Sequence, residues 1–579
     1  VIDKKSLKSS VILWSVLLGG MIWFAGKLAM SYELDQPIER FRQNLIANIA
    51  NPVYFRAADH TAAFIIAAIV IWLILLSNYL FRAGTYMHGK EHGNAGFANI
   101  RLLQKKYMQE KNIILSQNLA IGLDMYRHQH NLNILVIGGS GSGKSRGFCF
   151  PGLLSGGDIS YVSCDPKGET LRSVGYAMEK MGYEVRVLNL IDMKNSMRYN
   201  PFRYLRKDSD VISLITNFIR NTTPKDAHNS DPFWEKAEIA LLQALMFYLW
   251  YEAPEYEQNF AMMAEMLRYA VNPQDEKGKS PLDMLFEELK REKPNHIACR
   301  QYDMYRLSAG RTAKSILVMT GVALSVFGIQ EVIDLTSEDE LHFSDLADKK
   351  VALFCITSDC DPSFDWLASM LYTQMFQELE YIADSRPDGR LPRHVRFILD
   401  EYANISISSG QANDGGQKVL STCRSRNFSL NIIIQNIAQL KGLFKDTWEN
   451  ITGCCDVMVY LGTNEQSTHK YISEELSKAT IRYDTYGKSA NSLNTNINIT
   501  GRELMTPGEV RELDRRDCLV FIANEKPVID RKYDLMTHPN IRLAQQGGAP
   551  PYIFKRDAEK RAGEKQQETR KQISGGEHE

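Results

Sequence analysis

The chain has 579 residues, with 68 lysines and arginines against 69 aspartates and glutamates for a formal net charge of −1. That length exceeds one ordinary domain and points to about three or four units, and the charge balance excludes a globally basic protein while leaving room for local basic patches. The nine cysteines include the neighbours Cys454 and Cys455 but no C-x-x-C spacing, so neither a zinc site nor a disulfide framework is indicated, as suits a reduced cytosol.

The sequence opens on Val1, and a trimmed or missing start is expected. Val11 to Gly26 is an uncharged apolar run that Lys27 interrupts before Leu28-Ala29-Met30; a snorkelling lysine would extend it towards a full span. Thr61 to Phe81 is less ambiguous, because its 21 residues make a helix of about 30 Å, the thickness of a bilayer core. Lys4, Lys5 and Lys8 precede the first run, Arg82 and Lys90 follow the second, and the positive-inside rule places both termini in the cytoplasm. The loop between them is too short to fold alone. A cleaved signal peptide is the plainer reading of the first run, but no small-x-small cleavage site follows it; a buried soluble hairpin conflicts with the absence of a polar face on the second.

The Gly-rich stretch His92-Gly93-Asn94-Ala95-Gly96-Phe97-Ala98 reads as a linker into the amphipathic Asn99 to Lys106. Strand-like Ile113-Ile114-Leu115 and Ala120-Ile121-Gly122 precede the β-branched run Ile134 to Ile137, which enters Gly138-Gly139-Ser140-Gly141-Ser142-Gly143-Lys144-Ser145. This satisfies the phosphate-loop pattern G-x-x-x-x-G-K-[ST]: glycines let backbone N–H groups point at phosphate oxygens, Lys144 reaches the β/γ phosphates, and the Ser145 hydroxyl sits on Mg²⁺. A nucleoside triphosphate, ATP, is therefore expected. Leu154-Ser155-Gly156-Gly157-Asp158 imitates the signature of ABC transporter ATPases, but it closes the phosphate-loop helix instead of preceding an acidic strand, and reads as a helix C-terminus.

The strand Ser160 to Cys164 ends in Asp165-Pro166-Lys167-Gly168-Glu169 before a helix, Thr170 to Met181. This is one unit of a parallel sheet, with Asp165 at the strand end where ligands sit. A strand Glu184 to Leu190 and the turn Tyr199-Asn200-Pro201-Phe202 follow. From about Leu205 to Gln330 the apolar period becomes helical: a helix opening at Asp231-Pro232 and running through Trp250, a Ser280-Pro281 helix start, and a helix from Arg311 to Phe327. The block is expected to be an all-α domain inserted between strands.

The sheet resumes at Val351 to Thr357, followed by a helix from Trp366 to Ile382 and the strand of Val395-Arg396-Phe397-Ile398-Leu399-Asp400-Glu401. An apolar strand ending in Asp-Glu is the second half of a phosphate-loop ATPase: Asp400 holds the Mg²⁺ shell and Glu401 polarises water. The helix Asp414 to Asn427 carries Arg424 and Arg426, candidates for a finger acting in trans, and Gln435 ends the next strand as a γ-phosphate or water sensor. Ordinary alternatives are a solvated helix end for the arginines and a capping amide for Gln435. Strands Val457 to Leu461 and Cys518 to Asn524 complete the domain, and the charged tail beyond Tyr552 reads as disordered or a frayed helix.

In this order and spacing, GGSGSGKS at 138–145, CDPKGE at 164–169, YNPF at 199–202, LDEYANI at 399–405, STCRSRN at 421–427, IIIQNIAQLKGLF at 432–444 and VYLGTNEQST at 459–468 resemble the TraG/TraD family of type IV secretion coupling proteins, especially the conjugal transfer ATPases of the Gram-positive type. The resemblance runs from about residue 60 to 540. HGNAGFA matches the family's H-G-[ST]-A-[RK] only loosely.

The resemblance implies an α/β fold: a RecA-like phosphate-loop ATPase domain with an inserted all-α domain and an N-terminal two-helix transmembrane anchor. The divisions would be an anchor at 1–85, the nucleotide-binding domain at 86–204 and 331–550, the insertion at 205–330 and the tail at 551–579. It further implies ATP and Mg²⁺ as cofactors, a homo-hexamer in the inner (cytoplasmic) membrane, and as partners a relaxase–single-stranded DNA complex (or effectors) and the channel proteins. Carried over by motif, Lys144 and Ser145 bind phosphate and Mg²⁺, Asp400 and Glu401 form the Walker B pair, and Gln435 senses nucleotide. Two competing readings are a chromosome-translocating motor of the FtsK/HerA kind and a receptor that binds nucleotide without turnover. The former usually ends in a winged-helix DNA reader, for which this tail is too short and polar; the latter is at odds with the intact Lys144, Asp400 and Glu401.

Overall fold

The computed structural model describes residues 4–82, 91–222, 232–270, 279–307, 311–402, 416–489 and 492–556. The chain divides into two compact units, 1–94 with 479–502, and 95–478 with 503–579.

The smaller unit holds the helices Lys4–Ser31 and Thr61–Arg82, each with a segment long and apolar enough to cross a membrane, Ile12–Ser31 and Thr61–Tyr79. They pack as a hairpin, with Trp14 edge-on to Trp72 at 6.2 Å and the Trp72 indole N–H donating to the Trp14 carbonyl at 3.1 Å. Lys27 behaves differently from the snorkelling expectation. It is fully buried, and its ammonium donates to the carbonyls of Asn51 and Tyr54 at 2.7 and 2.6 Å while facing the Phe55 ring at 4.6 Å. The connecting segment thus supplies the partners that a buried cation requires. That segment also forms a helix, Ile38–Ala50, which the loop reading missed although Phe41, Leu45 and Ile49 recur at i, i+4, i+8.

Among the described residues there are thirteen strands, β1 (Asn112–Ile114), β2 (Ala120–Gly122), β3 (Ile134–Ile137), β4 (Ile159–Pro166), β5 (Glu184–Asn189), β6 (Val351–Thr357), β7 (His394–Leu399), β8 (Phe428–Ile434), β9 (Val457–Tyr460), β10 (Lys478–Ser489), β11 (Ser492–Glu503), β12 (Asp517–Ile522) and β13 (Val528–Arg531). β10 and β11 pair with each other and belong mainly to the smaller unit, where Asn94 bridges Ala479 and the His92 N–H donates to the Thr480 hydroxyl at 3.0 Å. The HGNAGFA stretch is therefore partly strand-like and not a plain linker. The hairpin itself went unread, although Leu493, Ile497 and Ile499 fall on alternate positions along β11.

In the larger unit nine strands form one sheet in the order β13-β12-β9-β3-β8-β7-β4-β6-β5. The seven from β9 to β5 are parallel, and β12 and β13 add antiparallel at one edge. β3, β6, β7, β8 and β9 are buried along their whole length, as strands covered on both faces must be. Ile134 and Val136 enter the core on one face, with the helix Glu169–Lys180; Leu135 and Ile137 enter the other. That second core continues without a break into the helices between β5 and β6, among them Asp208–Thr222, Pro232–Glu252, Phe260–Arg268 and Arg311–Leu324. The expected helical block is present between these strands and shares its core with the sheet. The Asp414–Asn427 helix begins at Gln417 among the described residues. Ala403 to Ile405 of LDEYANI, Asp231, and the tail from 557 lie outside them.

Candidate active site

The site is built at the carboxyl ends of neighbouring parallel strands. Register places Ile137 of β3 beside Ile434 of β8 and Tyr460 of β9. The phosphate loop leaves β3 with the Gly138 N–H donating to Ile434 O at 3.0 Å and the Gly139 N–H to Gly462 O at 2.9 Å. A side chain at Gly138 would collide with the Ser142 hydroxyl, and one at Gly139 would stand 3.4 Å from the Thr463 backbone. Gly141 and Gly143 have φ of +71° and +91°, the left-handed region that other residues enter at a cost. The loop then passes into a single π turn, Ser145–Cys149, and a short helix, Phe150–Leu154. Pro151 explains this widening: it has no N–H, and its ring would clash with the carbonyl four residues back in a regular helix.

A cavity of about 520 Å³ opens at the loop, lined by Gly139, Ser140, Gly141, Gly143, Lys144, Ser145, Arg146, Pro166, Lys167, Glu169, Asp359, Asp400, Glu401 and Gln435. Its size suits a small-molecule ligand. Lys144 donates to Gly138 O at 2.9 Å, which keeps the ammonium within the loop. Burial raises the Asp400 carboxyl above the usual range, the Lys144 charge opposes this and Glu401 adds to it. Such a carboxylate is better matched to a cation than to water. Glu401 sits at φ +57° and accepts from the side-chain amides of Gln435 at 3.0 Å and Gln439 at 3.2 Å, while the Gln439 carbonyl accepts the Gln435 N–H at 2.8 Å. The residues fit a Mg²⁺-nucleotide. The loop has a cradle that side chains would fill, a lysine and a hydroxyl sit on it, and two acids face it from the next strand but one.

Three expected residues lie elsewhere. Asp165 does not line the cavity: its two carboxylate oxygens accept the Thr170 and Leu171 N–H groups at 2.9 and 2.8 Å. It anchors the helix after β4, and burial pushes its carboxyl up to about 6. Arg426 makes a two-pronged pair with Asp384, both contacts 2.9 Å, and Arg424 donates to Gln129 O at 2.9 Å; neither lines the cavity. Gly138 and Ser142 shape the loop from behind, and the buried Ser142 hydroxyl has no hydrogen-bond partner among the described residues. Sequence reasoning missed Lys167, Asp359, Gln439 and Lys532. The first two sit at the tips of β4 and β6, the position that pointed to Asp400. Gln439 lies one helical turn beyond Gln435. Lys532, which donates to Ser142 O at 2.9 Å, carries no signal in the sequence.

A family profile described as "Type IV secretory system Conjugative DNA transfer" matches residues 96–547. "Protein VirD4" of Rhizobium radiobacter is 24% identical over 487 residues, covering 80% of this chain and 67% of that protein. "Conjugal transfer protein TraG" of Escherichia coli is 21% identical over 398 residues, covering 66% and 61%. The chain thus spans about three fifths to two thirds of these relatives' length. The bacterial conjugative coupling protein TrwBdeltaN70 superposes with a TM-score of 0.56 at 17% identity, over 78% of this chain and 97% of that one. Plasmid coupling protein TrwB in complex with ADP and Mg²⁺ superposes at 0.55, with 17% identity, over 77% and 97%.

Proposed function

The chain belongs to the type IV secretory system conjugative DNA-transfer family, and on that premise we propose that it is a membrane-anchored coupling ATPase. In this reading it recruits relaxase-bound single-stranded DNA, or protein effectors, and uses ATP to deliver them to a secretion channel. It works as a homo-hexamer in the cytoplasmic membrane with both termini inside. The observation that carries the reading is the meeting of the phosphate loop, Asp400, Glu401 and Gln435 in one cavity, within a chain whose N-terminal unit has two helices able to span a bilayer.

Lys144 would exchange its bond to Gly138 O for β/γ phosphate oxygens. Ser145 and Asp400 would hold Mg²⁺, whose contribution is to neutralise charge on the phosphates. Glu401 is the general base for the attacking water. Gln435 and Gln439 clamp its carboxylate, fixing the direction from which it accepts a proton. A carboxylate clamped by two amides on a backbone at positive φ is preorganised, and that lowers the reorganisation needed for reaction.

Glu401→Gln should bind nucleotide as wild type does and lose turnover by roughly 10²-fold or more, while Lys144→Ala should lose both, measured on the full chain in detergent with and without single-stranded DNA. Equal turnover of wild type and Lys144→Ala at every DNA concentration and assembly state would remove the motor assignment. Pull-down from donor cells with Glu401→Gln should recover a relaxase carrying covalently attached DNA.

A further inference from the structure

Lys167 and Asp359 line the nucleotide cavity from the tips of β4 and β6, three and four strands along from β3, and hydrolysis as described above uses neither. Their side chains form an ion pair at 2.7 Å, with Lys167 64% and Asp359 34% exposed. The lysine backbone is in the left-handed region at φ +79°, which a residue with a side chain adopts only when its surroundings impose it. What imposes it is visible. The Lys167 N–H donates to Thr357 O at 3.2 Å, and the Gly168 N–H to Asp165 O at 3.2 Å, while the Asp165 carboxylate is tied to the helix that follows. The backbone is pinned and a long cationic side chain is delivered to the cavity wall, where its partner is a single, largely solvated carboxylate.

We propose that Lys167 distinguishes nucleoside triphosphate from diphosphate: Asp359 holds its ammonium when the terminal phosphate is absent, and a terminal phosphate oxygen takes its place when a triphosphate is bound. This rests on the nucleotide reading given above. An exposed ion pair is weak, so it parks the lysine without locking it. A terminal phosphate brings more charge and more acceptor oxygens than one carboxylate, and displaces it. A diphosphate leaves that position empty and the pair with Asp359 intact. Lys144 differs in kind, because it belongs to the loop and serves both nucleotides.

The test is equilibrium binding of Mg²⁺-ADP and of the Mg²⁺ complex of the β,γ-imido analogue of ATP to the full chain in detergent, with wild type, Lys167→Ala, Asp359→Asn and Lys144→Ala. Lys167→Ala should weaken the triphosphate analogue about tenfold, the scale of one charged hydrogen bond, and leave ADP within about twofold. Asp359→Asn frees the lysine and should tighten the analogue by up to about fivefold, the scale of an exposed ion pair. The unchanged ADP affinity also reports that Lys167→Ala and Asp359→Asn are folded. Equal weakening of both nucleotides by Lys167→Ala, or no change in either, would overturn the proposal; so would weaker analogue binding by Asp359→Asn, since Asp359 would then be positioning the lysine instead of competing for it. If wild type bound neither nucleotide, or Lys144→Ala bound both as wild type does, the underlying site reading would fail instead.

Discussion

Glu401 shows how a single side chain divides between what a sequence can and cannot reveal. Its identity as the acid after an apolar strand was legible, as was Gln435 at the next strand tip, because strand ends in a parallel sheet are where ligands bind. Its orientation was not. That comes from a positive φ and a second amide, Gln439, and neither follows from residue type. For the arginines, residue type carries charge and no geometry: Arg426 pairs with Asp384, 42 residues earlier in the chain, a contact that the sequence does not reveal. A different residue, His394 at the start of β7, supports a prediction about pH. Its buried ring lies between Asn427 at 3.2 Å and Ser429 at 2.9 Å, and burial lowers its pKa from 6.5 to about 4. The unfolded chain therefore takes up this proton near pH 6.5 while the folded chain resists until about 4. The stabilisation is complete above pH 6.5 and declines as pH falls towards 4, by about 3 kcal/mol in total. His394→Gln should flatten the fall in thermal midpoint across that window relative to wild type, measured by calorimetry in detergent.

At the scale of elements, long apolar runs announced the parallel strands accurately, since a strand buried on both faces needs an unbroken apolar run. Among the elements that went unread are β13, the β10–β11 hairpin and the helices Ile38–Ala50, Ile437–Phe444 and Gln466–Leu476. β13 matters beyond its length. It delivers Lys532 beneath the phosphate loop, where the partly buried ammonium, its pKa lowered by burial, donates to Ser142 O. Nothing in the loop's own sequence indicates this brace, because the partner lies 390 residues downstream. Lys532→Met keeps the stem and removes the donor. It should weaken binding of both nucleotides by roughly tenfold, the scale of one hydrogen bond to a charged group, while the thermal midpoint changes little. Unchanged affinity would reduce the contact to packing.

At the scale of the molecule, the expected architecture was legible because its parts follow one another with distinct periodicities: two spans, then alternating strands and helices, then a purely helical stretch. The continuity of the core was not legible. The helices between β5 and β6 share one apolar core with a face of the sheet, and a shared core depends on which faces meet in space.

The sheet order has a consequence for the order of synthesis. β3, which carries the phosphate loop, is complete by Ile137, yet its two neighbours are β8 at 428–434 and β9 at 457–460. At bacterial elongation rates of about 5–20 residues per second, this apolar strand waits on the order of tens of seconds for its hydrogen-bonding partners on the ribosome. Both of its edges are unpaired throughout that interval, which is the condition that favours aggregation. Truncated chains beginning at residue 95 and ending before residue 428 should accumulate in the insoluble fraction, whereas chains extended through residue 556 should not, as fractionation of expressing cells would reveal. By topology alone, the strand that carries the phosphate loop cannot join its two neighbours until residues up to 460 have been made.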